Sequence, residues 1–108
     1  MVKSDEYEKV ISTYYGEEAV TALIMLKVDT KIADSVAKKV AEFKNVEDVF
    51  MVTGDVDIIL KTSFGQYKDL KQFVLENLSK IEGIKDTRTL MVVTAYKERG
   101  NVVLEEKK

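Results

Sequence analysis

The 108 residues contain no cysteine and no histidine. Without thiols there is no disulfide scaffold, and without thiolate or imidazole the soft-ligand metal sites are closed. Histidine-dependent nucleophilic catalysis falls with the same absence, as does a thiol-pair metal chaperone. Positive charge is not in excess: 17 Lys and Arg stand against 19 Asp and Glu, a formal charge of -2. Nucleic acids are held through released counterions, which takes a basic surplus, so direct nucleic-acid binding is not expected. No apolar run approaches a membrane span, and the opening MVKSDEYEKV has no hydrophobic signal core. A cytoplasmic protein without membrane association is the expectation. The Lys- and Glu-rich, Cys-free make-up is of the kind found in thermophile proteins.

What remains is a normal globular balance, with 45% hydrophobic and 33% charged residues, and a length that suits one core. The first segment, 4–16, spaces Tyr7, Val10, Ile11 and Tyr14 as a helix does. Ser4 is its N-cap, acids fill its first turn and Gly16 ends it. VTALIMLKVD reads as a strand with Ala22, Ile24, Leu26 and Val28 on one face and Leu23, Met25 and Lys27 on the other. TKIADSVAKKVAEFKN reads as a helix with a stripe of Ile32, Val36, Val40 and Phe43, capped by Asp29 or Thr30 and ended by Asn45. A hairpin follows, with strands at about 47–53 and 57–63. The next helix has an apolar side of Tyr67, Leu70, Phe73, Val74, Leu78 and Ile81, and Gly83 stops it. The last long strand is IKDTRTLMVVTAY, after which KERGN turns and VVLEEKK adds a short edge strand and a charged tail.

The order β-α-β-β-α-β predicts an α+β, ferredoxin-like fold. Its antiparallel sheet has the order 4-1-3-2, and right-handed crossovers place both helices on one face. Three stretches follow: a helical extension over 1–19, the main body over 20–97, and a turn, short strand and tail over 98–108. The helices leave the second sheet face uncovered, yet strand one offers Leu23 and Met25 there, strand two is apolar on both sides through Val49, Phe50, Met51 and Val52, and strand four adds an apolar residue to either side. An apolar patch of that size calls for a cover. A second copy packed sheet to sheet is the first expectation; the alternative is the extra helix or the C-terminal strand of the same chain.

The fold does not fix the function. An RNA-recognition sheet carries stacking aromatics on its central strands, and none is expected on strands one or three. The remaining chemistry sits in VTGDVD, residues 52–57, where a tight turn carries two carboxylates before a buried strand. Asp55 has an ordinary reading as a turn residue bonding nearby amides. Asp57 opens an apolar strand, where propensity disfavours Asp, so it is either a solvated end or a fixed acceptor. Gly54 admits positive φ and leaves backbone amides open. Amides for a carboxylate and an acid for an ammonium group together suit a zwitterion.

VEDVFMVTGDVDIIL, followed by FVLENLSKIEGIKDTRTLMVV, resembles the ligand-sensing RAM domain of the Lrp/AsnC (feast/famine) transcription regulators. The resemblance spans roughly residues 20–96, and its most specific part is the Thr53-Gly54-Asp55-x-Asp57 turn. It implies homodimers formed through the sheets, assembly of dimers into rings, and small effectors, commonly amino acids, bound between dimers beside this turn. By matching position Thr53, Gly54 and Asp57 line that pocket, with Asp55 a weaker member. No cofactor and no metal are implied. The regulators carry an N-terminal helix-turn-helix, for which some twenty residues before strand one are too few. A stand-alone sensing domain, or one cut from a longer protein, is therefore expected, acting on transcription through mixed assembly with a full-length regulator. Two other classes stay open: a small ferredoxin-like dimeric enzyme, not expected because no nucleophile-base pair is visible, and a purely structural assembly module.

Overall fold

A computed structural model describes residues 19–103. The helix expected at 4–16 and the charged tail lie outside the described residues. β1 (Val20–Val28) leads through a short 3₁₀ turn (Thr30–Ile32) into α1 (Ala33–Ala41). β2 (Val46–Met51) and β3 (Ile58–Phe64) form the hairpin. α2 begins as an α-helix (Tyr67–Gln72), widens to a π turn (Phe73–Asn77) and ends as a 3₁₀ turn (Leu78–Lys80). β4 (Ile84–Met91) completes a four-stranded antiparallel sheet of order β2-β3-β1-β4, the expected ferredoxin-like topology.

Period-two alternation builds the core. Ala22, Ile24, Leu26 and Val28 of β1, and Ile58, Leu60, Thr62 and Phe64 of β3, are buried towards the helices. The β1–β3 register sets Ile24 opposite Leu60 and Leu26 opposite Ile58. Thr62 is tolerated in this layer because its hydroxyl donates to the Ala22 carbonyl at 2.9 Å. From α1 come Val36 and Val40, and from α2 come Leu70, Phe73 and Leu78. Phe73 is the hub between the helices and the sheet: its ring meets Phe43 edge-on at 5.2 Å and Phe64 at 5.4 Å.

Several expected details move. Asp29 caps the first turn, accepting from the Lys31 amide at 3.0 Å, but α1 closes at Glu42. Asn45 does not end the helix; its Nδ2 donates to the Ser63 carbonyl at 3.0 Å and its own carbonyl accepts from the Ser63 amide at 2.9 Å, clamping the end of β3. β2 and β3 each sit one or two residues from their expected limits, so Phe64 joins β3. It is buried on the core face, however, and offers no stacking platform. Tyr67 is 57% exposed and not part of the core. The helix widens where the Leu78 amide donates to the Phe73 carbonyl, five residues back.

β4 ends at Met91, short of the expected Tyr96. The chain then forms a separate two-stranded hairpin, β5 (Lys97–Glu98) and β6 (Asn101–Val102), closed by the Val103 amide donating to the Tyr96 carbonyl at 2.8 Å. The expected edge strand is therefore a hairpin of its own. It lies against the second sheet face: Lys61 of β3 pairs with Glu98, and Glu47 of β2 stands 3.8 Å from both Lys61 and Arg99. The alternating charges Arg99, Glu47, Lys61 and Glu98 clip the hairpin there. This covers part of that face within the chain. Phe50 (56% exposed) and Leu90 (48% exposed) remain open on it, with Leu23 and Met25 half-buried between them.

Candidate functional site

The β2–β3 turn closes where the Val52 amide donates to the Asp57 carbonyl at 2.9 Å. Gly54 sits at its apex with φ +125°, a conformation that L side chains rarely adopt. Among the described residues, nothing lies within 4 Å of where a Cβ on Gly54 would stand. Thr53, Gly54 and Asp55 are all exposed, so the apex is an open, convex loop that walls in no ligand by itself.

Asp57 behaves differently from its three companions. Its amide donates to the Leu26 carbonyl at 2.9 Å, and its Oδ2 accepts from the Val28 amide at 2.9 Å. Val28 is a buried core residue, 4% exposed. The carboxylate thus finishes the β1–β3 ladder where regular pairing stops at Leu26–Ile58. Of the two readings open for an acid at a strand start, the fixed acceptor is the one found. A buried amide left unpaired costs roughly 1–3 kcal/mol, and a hydrogen bond to a charged group is worth about 1.5–3 kcal/mol net. Oδ1 accepts no hydrogen bond among the described residues. Asp57 therefore has one oxygen committed to the fold and one available at the base of the turn.

The four predicted residues separate into two groups. Thr53, Gly54 and Asp55 share the apex; Asp57 is drawn back to the end of β1. What the sequence did not disclose is the rest of that sheet end. Asp29 follows Val28 directly, and its amide donates to the Gly83 carbonyl at 2.8 Å. Gly83, at φ +101°, passes so close to Ile32 that a Cβ there would collide with its side chain and stand 3.1 Å from Val36 Cγ2. The end of β1 is thereby held from both sides, by Asp57 and by Gly83. An acid at a strand start and a glycine after a helix were the signals for the two clamps, but neither names its partner.

Chemically, the arrangement offers exposed backbone at a glycine apex, a loose carboxylate at Asp55 and a fixed one at Asp57. Among the described residues there is no cluster of three or more His, Cys, Asp or Glu able to hold a metal ion. Nor is any described helix long and apolar enough to cross a membrane. Two surface grooves of ≈ 320 Å³ each lie elsewhere. One is polar, over Phe64 and Phe73, with Lys44, Asp69 and Asn77 at its rim. The other is apolar, between α2 and β4, with Tyr67, Leu75 and Met91.

Comparison with known proteins adds a relationship to this geometry. A family model described as the Lrp/AsnC ligand binding domain matches residues 21–102. YugG, an uncharacterized HTH-type transcriptional regulator of Bacillus subtilis, is 32% identical over 109 residues, covering 90% of this chain and 66% of that protein. The chain spans between 50% and 66% of the lengths of the curated relatives it matches. The solved structure of FFRP-DM1 is 30% identical with a TM-score of 0.66, over 68% of this chain and 99% of that one. A transcriptional regulator of Neisseria meningitidis, solved as its L-Met complex, superposes with a TM-score of 0.70 at 24% identity, over 94% of this chain and 62% of its own. That last likeness is one of fold.

Proposed function

This chain belongs to the Lrp/AsnC ligand-binding domain family, and from that premise we propose that it is a regulatory module that binds an amino-acid effector at the β2–β3 turn and assembles through its sheet. The observation that carries the reading is Asp57. Its position is fixed by the Val28 amide, yet one oxygen stays available at the base of the turn whose apex is the open Gly54. A preorganised acceptor next to exposed backbone amides recognises an ammonium and a carboxylate held on one carbon. The convex apex supplies no opposing wall, so the pocket is completed by a neighbouring subunit. The L-Met complex of the Neisseria regulator supports the choice of effector class.

Sheet-to-sheet pairing supplies the first level of assembly. Phe50 and Leu90, with Leu23 and Met25 beneath, form an apolar patch that the hairpin leaves uncovered, and apolar patches of this kind mark interfaces. The role proposed is binding and not catalysis, and any effect on transcription passes through partners that contact DNA.

A thermal-shift screen with the common amino acids tests the reading. A ligand at a hundred times its Kd stabilises by about 2.7 kcal/mol, a rise on the order of 10 °C for a domain of this size. A rise with one or a few amino acids, abolished by substitution of Asp57, is the expected result. No rise with any of them favours the second reading, an assembly module whose turn only touches other subunits; the turn's exposure is the observation on its side.

A further inference from the structure

The chain carries five carboxamide side chains: Asn45, Asn77, Asn101, Gln66 and Gln72. Three of them, Asn45, Gln72 and Asn77, line the polar groove of ≈ 320 Å³ over Phe64 and Phe73. The fold gathers them from separate places. Asn45 stands between α1 and β2, Phe64 closes β3, and Gln72, Phe73 and Asn77 belong to α2. The groove lies at the far end of β3 from the β2–β3 turn, roughly 20 Å away along the strand. α2 widens to its π turn at this place, and both ends of that turn, Phe73 and Asn77, line the groove. π turns are uncommon and recur at functional sites.

The polar groups of this groove are largely unspent. Asn45 donates from Nδ2 to the Ser63 carbonyl, and its Oδ1 accepts nothing among the described residues. The side chains of Gln72, Asn77, Lys44 and Asp69 form no hydrogen bond or ion pair among the described residues, and Lys44 and Asp69 do not pair with each other. One cation and one anion cancel, so the groove favours neither sign of charge. A carboxamide donates through its NH₂ and accepts through its carbonyl. A hydroxyl likewise donates and accepts. Two hydroxyls on adjacent carbons therefore match one carboxamide: the first accepts from the NH₂ and the second donates to the carbonyl. Lys44 adds donors and Asp69 adds acceptors. The floor rings, Phe64 and Phe73, are 3% and 5% exposed. They offer apolar contact to C–H groups but no open face on which a nucleobase could stack.

We propose that this groove is a second ligand site, which binds a small neutral polyhydroxylated molecule, a monosaccharide or a polyol. Gln72 and Asn77 hold its vicinal hydroxyls, and Lys44, Asp69 and the Asn45 Oδ1 take the remaining ones. The volume of ≈ 320 Å³ stands at the small end of the range for ligand pockets, which suits one sugar ring and not a chain of them. None of Thr53, Gly54, Asp55 and Asp57 borders the groove, so this site stands or falls separately from the turn.

Carboxamide NH₂ groups give their own proton–nitrogen correlation signals, so the groove reports on its own occupancy. The test is a titration of the full chain with D-glucose, D-ribose, myo-inositol and sorbitol in turn, followed by these spectra. Thermal shift is not the assay, because sugars excluded from the protein surface stabilise folded chains without binding. At least one of the four should move the Asn45, Gln72 and Asn77 signals along a saturating curve while the Asn101 signal stays in place. Ring sugars against sorbitol then separate a monosaccharide site from a polyol site. Gln72→Met and Asn77→Leu change exposed positions. They should keep the circular dichroism of the wild type and each raise the titration midpoint roughly three- to tenfold, as loss of one hydrogen bond does. No movement with any of the four overturns the proposal, as does a non-saturating drift that takes the Asn101 signal along. Midpoints unchanged in both variants overturn it too. A saturating shift of the three signals with L-glutamine and with none of the four would assign the groove to a zwitterion, and that also overturns it.

Discussion

Asp57→Ala removes the acceptor that the Val28 amide has among the described residues and leaves that amide in the core. Three contributions can be read from the geometry. The charged hydrogen bond at 2.9 Å is lost, a net about 1.5–3 kcal/mol. The orphaned N–H belongs to a residue 4% exposed, so water does not replace the partner without local opening. The backbone bonds of Asp57 to Leu26 and Val52 survive, since alanine keeps both main-chain groups. The expected loss is about 2–3 kcal/mol, or roughly 8–20 °C in Tm for a domain of this length. Asp57→Asn keeps an oxygen for Val28 and gives up only the charge, so it should lose about 1 kcal/mol. Asp55→Ala, on the exposed apex, should stay within about 0.5 kcal/mol of wild type. Urea unfolding followed by circular dichroism, with all four proteins at equal concentration, measures the series. If Asp57→Ala unfolds at the wild-type midpoint with an unchanged slope, the carboxylate does not hold β1 and the structural half of its role is wrong. The Asn variant then isolates the binding half. It presents an amide NH₂ where an ammonium group would sit, and affinity for the effector should fall about ten- to a hundredfold, the equivalent of about 1.5–3 kcal/mol.

Phe50→Asp should convert the sheet-face dimer to a smaller species while the fold persists, because Phe50 is 56% exposed in the single chain; an unchanged sedimentation coefficient places the interface elsewhere. Burying that unpaired charge between two sheets would cost several kcal/mol. Gly83→Ala should destabilise by more than about 1 kcal/mol, since it combines φ +101° with a collision against Ile32; a thermal melt within error of wild type refutes the clamp at the end of β1. The chain by itself should give no gel shift with DNA at low salt, given its formal charge of -2; a shift at micromolar protein that weakens steeply with added salt would show an unopposed cationic surface.

Local pattern carried the fold a long way. The alternation in β1, the stripe of Val36 and Val40 in α1 and the glycine after α2 each specify an element and its buried face, because side-chain period is a property of the backbone and survives any packing. The element order then left few topologies, and the sheet order β2-β3-β1-β4 is the one expected. The turn at Thr53–Asp57 was legible for a similar reason: a glycine among acids between two apolar runs has little other use.

Partnership was not legible. Asp57 reads the same whether its carboxylate faces solvent, a ligand or Val28, and only the folding of β3 against β1 brings that amide, 29 residues earlier, to 2.9 Å. The hairpin at Lys97–Val102 reads as an edge strand until Lys61 and Glu47 capture its charges on the second sheet face. α2 widens at Phe73, whose ring meets both Phe43 and Phe64, and no helical periodicity encodes that set of contacts. Sequence alone determined the elements, their buried faces and the place of the turn, because those depend on neighbours within a few residues. Tertiary structure decided what each polar group bonds to, because a hydrogen bond or an ion pair is fixed by distances between residues that are far apart along the chain.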